Sequence, residues 1–63
     1  MRSVALSELI PTAQQLAGGT TETFVVSGAS DAELNAAAIA LRFLGLMASV
    51  TDAATGRITV TRL

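Results

Sequence analysis

The sequence predicts an α+β fold, with two helices packed on one face of a small three- or four-stranded, mainly antiparallel sheet. Three observations lead there. A capping box at Ser30 opens an alanine- and leucine-rich run, residues Arg57 to Thr61 alternate strictly, and glycines close both helical runs at Gly18-Gly19 and Gly45. With 63 residues the chain fits one domain, 1–63, of a size that buries only about 60% of its unfolded surface.

Leu6, Leu9, Ile10, Ala13 and Leu16 recur at helical spacing and predict a first helix over 7–17, with Ser7 as its N-cap and Pro11 at the end of its first turn. Residues 2–6 suit either an edge strand or a helical extension. Thr23 to Ser27 is aromatic and β-branched, which predicts a strand with Phe24 and Val26 on its buried face. In Ser30-Asp31-Ala32-Glu33 the serine hydroxyl serves the Glu33 amide and the glutamate reaches back, starting a second helix over 31–44.

Ala48 to Asp52 resumes extended spacing, and Thr55-Gly56 supplies a left-handed turn residue before Arg57-Ile58-Thr59-Val60-Thr61. The last third therefore reads as a β-hairpin, its threonines solvated and Ile58 and Val60 turned toward the helices. Arg57 and Arg62 read as charged guards of an edge strand. The expected core is Leu9, Ile10, Leu16, Phe24, Val26, Leu34, Ala38, Leu41, Leu44, Val50, Ile58 and Val60.

Composition narrows the chemistry. The chain has no histidine, cysteine, tryptophan or tyrosine, so catalysis by histidine or cysteine is excluded and zinc lacks its nitrogen and sulfur ligands. Met1 and Met47 are the only soft side chains, a poor set for divalent metals. Asp31 and Glu33 are accounted for by the helix start, and they would repel a phosphate from the preceding Gly28-Ala29-Ser30 turn. Neither a catalytic site, nor a cofactor, nor a metal is expected.

Four arginines, no lysine and a net charge of -1 argue against a nucleic-acid partner, which needs a positive field. The apolar run from Ala36 to Val50 is too short to cross a bilayer and carries Arg42, and the N-terminal residues mix Ser7, Glu8 and Pro11 into any apolar stretch. A cytoplasmic protein away from membranes is the expectation.

From Phe24-Val25-Val26-Ser27-Gly28, through the second helix, to Ala48-Ser49-Val50-Thr51-Asp52-Ala53-Ala54-Thr55-Gly56-Arg57-Ile58-Thr59-Val60, the chain resembles the β-α-β-β portion of heavy-metal-associated domains. Their metal loop, Gly-Met-x-Cys-x-x-Cys, is matched here by Gly28-Ala29-Ser30-Asp31-Ala32-Glu33-Leu34, with Asp31 and Leu34 in the cysteine positions. The resemblance implies a ferredoxin-like layer of helices on an antiparallel sheet, without the family's metal binding.

The second helix carries the functional signal. Leu34, Ala37, Ala38, Leu41 and Leu44 share one sector, while Ala36, Ile39, Ala40 and Phe43 share the opposite one, so the helix lacks a charged outer face. Either the first helix covers Ile39 and Phe43, or these residues form an interface. The chain is expected to be a non-catalytic interaction or oligomerisation module, most simply a homodimer, using Ala36, Ile39, Ala40 and Phe43. The alternative is a small inhibitor or antitoxin-like protein of phage or plasmid type that binds and blocks a larger enzyme.

Overall fold

A computed structural model describes all 63 residues as β1 (Arg2–Ala5), α1 (Leu6–Gln14), β2 (Thr21–Ser27), α2 (Asp31–Phe43), β3 (Leu46–Asp52) and β4 (Arg57–Arg62). The four strands form one sheet in the order β1-β2-β4-β3. β1 runs parallel to β2, and β4 is antiparallel to both of its neighbours. The predicted α+β class, two helices on a mainly antiparallel sheet, is what the structure has, and the fourth strand is β1.

Two crossovers build this order. The chain passes from β1 through α1 into the adjacent parallel β2, then from β2 through α2 to β3, which leaves a strand-wide gap. A hairpin returns β4 into that gap, where it satisfies the facing edges of β2 and β3 together. β4 is thus interior, which corrects the reading of Arg57 and Arg62 as edge guards. Arg62 instead donates through Nη1 to the Gln14 carbonyl, satisfying an orphan acceptor at the end of α1.

Alternation along the strands decides which residues are buried. Phe24, Val26, Leu46, Ala48, Ile58 and Val60 point to the helix-covered face and join Leu9, Ala13, Leu34, Ala37, Ala38 and Leu41 in a single core. The other face is hydroxyl-rich: Thr21 and Thr61 Oγ1 lie 2.8 Å apart, and Thr23 and Thr59 Oγ1 lie 3.2 Å apart, as cross-strand pairs. Of the expected core, Ile10, Leu16 and Val50 are only partly buried against it. Leu44 is 51% exposed, because α2 ends at Phe43 and leaves it as the C-cap, and Leu46 takes the buried position on β3.

The two helices differ in how they start. α2 has its capping box: the Glu33 amide donates to Ser30 Oγ at 3.2 Å, and the Ser30 amide donates to Glu33 Oε1 at 2.9 Å. α1 has no side-chain cap, because β1 runs into it directly at Ala5, not Ser7. Pro11 therefore lies inside α1, not in its first turn, and the Ser7 carbonyl that its missing amide would have served is on an exposed residue open to water. The helix ends at Gln14, three residues before the expected boundary.

Gly56 is the tightest point of the hairpin. Its φ of +77° is in the left-handed region, and a Cβ there would lie 2.4 Å from the Val26 carbonyl oxygen. The closeness has a purpose, since the Val26 amide donates to the Gly56 carbonyl at 2.8 Å and seats the turn on the end of β2. On the other arm a bulge between Val50 and Asp52 shifts the register by one residue before the turn.

Candidate protein interface

Helical geometry turns α2 into a two-faced element. At about 100° per residue, the buried Leu34, Ala37, Ala38 and Leu41 share one direction, and Ala32, Ala36, Ile39 and Phe43 fall within about 30° of the opposite one. All four of these are exposed. Phe43 is 87% exposed and Ile39 50%, so an aromatic ring and a branched aliphatic chain stand on the outside of a very small domain.

Of the four residues singled out from sequence, Ala36, Ile39 and Phe43 lie on this outer face, and Ala40 is half-buried on its flank. Ala32 belongs to the face and was missed, although its place one turn before Ala36 is readable from the same periodicity. The first helix does not cover Ile39 and Phe43. α1 packs over β1, β2 and β4, whereas α2 packs chiefly over β3, and their contact leaves the outer stripe of α2 open.

Polar groups frame the stripe on one flank, where Asp31, Asn35 and Arg42 follow one another along the helix. Arg42 Nε donates to the Ala48 carbonyl at 2.9 Å, and its two Nη groups make no hydrogen bond within the chain. Asp31 and Arg42 take part in no ion pair; the chain's one salt bridge joins Arg2 Nε to Glu22 Oε1 at 2.8 Å, with the guanidinium carbon 5.7 Å from the Phe24 ring centroid. Glu33 is held below the usual carboxylate range, first by the hydrogen bond from the Ser30 amide and then by the Ser30 side chain.

Ile39, Arg42 and Phe43 border a shallow hollow on this surface, and a larger one lies over β3 beside Arg42, Gly45 and Leu63. Arg42 is the only ionisable side chain bordering either. No group of three or more acidic, histidine or cysteine side chains gathers anywhere in the fold, and no helix is long and apolar enough to cross a membrane. No family model, curated protein or solved structure matches the chain.

Proposed function

We propose that the chain is a non-catalytic self-association module that pairs with a second copy through the outer face of α2. The observation that carries this reading is Phe43, 87% exposed in a stripe with Ile39, Ala36 and Ala32 directly opposite the core. Such a residue gains nothing by remaining in water, and burying it contributes about 1.5–3 kcal/mol.

Charge and size support a second copy as the occupant. The net charge of -1 gives little mutual repulsion, and the flank beside the stripe offers both an unpaired acid, Asp31, and an unpaired base, Arg42. Aromatic anchors of this kind dominate interface energies. Sedimentation velocity on the wild type and Phe43→Asp tests the reading. The variant is expected to keep its helical circular dichroism and sediment as a monomer at concentrations where the wild type sediments as a dimer; equal association of the two would refute it.

A further inference from the structure

Size is segregated along the outer stripe of α2: two small residues, Ala32 and Ala36, occupy its N-terminal half, and two large ones, Ile39 and Phe43, its C-terminal half. A face of this kind is self-complementary only when the second helix runs the other way. Antiparallel, the large half of each copy lies on the small half of the other. Parallel, Phe43 would meet Phe43, and the alanines would face each other across a gap.

Charge points the same way. Asp31 opens α2, Arg42 lies in its last turn, and both lie on the same flank. A two-fold axis across the helix pair keeps each flank against itself while reversing direction, so it brings the acidic start of one flank to the basic end of the other. It also sets the positive end of each helix dipole by the negative end of its neighbour. A parallel pair would instead set this flank against the opposite one, placing Asp31 beside the acidic Glu33 of the other copy and Arg42 beside its Ala40.

We infer that two copies meet through antiparallel α2 helices, with Phe43 and Ile39 of each copy seated on Ala32 and Ala36 of the other and Arg42 of each beside Asp31 of the other. This rests on the self-association proposed above and adds its geometry. Arg42 can serve both partners: Nε holds the Ala48 carbonyl of its own sheet edge, and the Nη groups face a carboxylate across the interface.

Charge reversal by mixing tests the pairing. Asp31→Arg and Arg42→Asp copies each carry like charges at both crossings of their own homodimer, whereas a heterodimer of the two variants has both crossings matched. Each variant alone should dimerise about tenfold more weakly than the wild type, and an equimolar mixture should regain wild-type affinity by sedimentation equilibrium. Variants that associate as well as the wild type, or a mixture no tighter than its components, would overturn the pairing; a dimeric wild type with a monomeric Phe43→Asp would then leave the self-association reading standing.

A wild type that remains monomeric would remove both. Because either reversal could disturb the ends of α2, engineered thiols supply a second measurement in a chain that has no cysteine of its own. Ala36→Cys mixed with Ile39→Cys should oxidise to a disulfide-linked pair. Ala32→Cys alone should not, since antiparallel copies hold those positions about 16 Å apart along the helices, beyond disulfide reach. Rapid self-linking of Ala32→Cys would contradict the antiparallel arrangement.

Discussion

Arg42 Nε donates a 2.9 Å hydrogen bond to the carbonyl of Ala48, tying the last turn of α2 to the free outer edge of β3. Edge carbonyls otherwise invite another strand, and β3 carries no lysine or proline to discourage one. A side chain from the helix layer blunts this edge instead. Removing it as Arg42→Ala should cost about 1 kcal/mol and lower the thermal midpoint by about 4–8 °C, read by circular dichroism. An unchanged midpoint would mean that the bond contributes nothing.

Gly56 offers a harsher test of the hairpin. Any side chain there meets both an unfavourable φ of +77° and the Val26 carbonyl. Gly56→Ala should lose about 3 kcal/mol or more in urea unfolding. Glycine to alanine at Gly18, whose nearest neighbour to an added Cβ is the Leu63 carbonyl oxygen at 3.9 Å, is the matched control and should change stability little.

The two faces of α2 should answer the same insult differently. Leu41 is fully buried, so Leu41→Asp strands a charge in the core and is expected to unfold a domain this small. Phe43→Asp places its charge in water in the monomer. Loss of the far-ultraviolet helical signal in dilute Leu41→Asp but not in dilute Phe43→Asp is the expected outcome.

Acid should weaken the start of α2. The folded-state value of Glu33 is lowered by its hydrogen bonds with Ser30, so its contribution is complete well above the unfolded carboxylate value of about 4.3 and is lost as pH falls through the lower folded value. Glu33→Gln keeps an acceptor for the Ser30 amide but does not titrate. Its stability should therefore fall less steeply with acid than that of the wild type below about pH 4.3, as measured by urea unfolding at a series of pH values.

What could be read from the sequence was local. The Ser30–Glu33 box and Gly45 bracket α2 to within one residue, and the alternation of Arg57 to Thr61 marks β4 and its buried Ile58 and Val60. What escaped depends on neighbours in space. Nothing in Arg57 to Arg62 says that the strand slots between β2 and β3, and the four residues of β1 gain their identity only from parallel pairing with Phe24 to Ser27. Ser7 has the chemistry of a cap, yet the direct passage from β1 into α1 puts that role on Ala5.

The outer face of α2 followed the same division. Periodicity places Ile39 and Phe43 opposite the core, but whether another helix covers them depends on where α1 docks, and it docks over β1, β2 and β4. Leu44 illustrates the limit at one residue. It keeps the core phase of the helix, and the helix ends before it can use that phase.

The measurement that bears most directly on self-association is the solution mass of the unaltered chain by light scattering across micromolar concentrations. If α2 mediates dimerisation, the mass rises from 6.4 kDa toward twice that value as concentration increases, with the midpoint moved to higher concentration by substitutions on the outer face of α2. A mass fixed at 6.4 kDa over the whole range would contradict it.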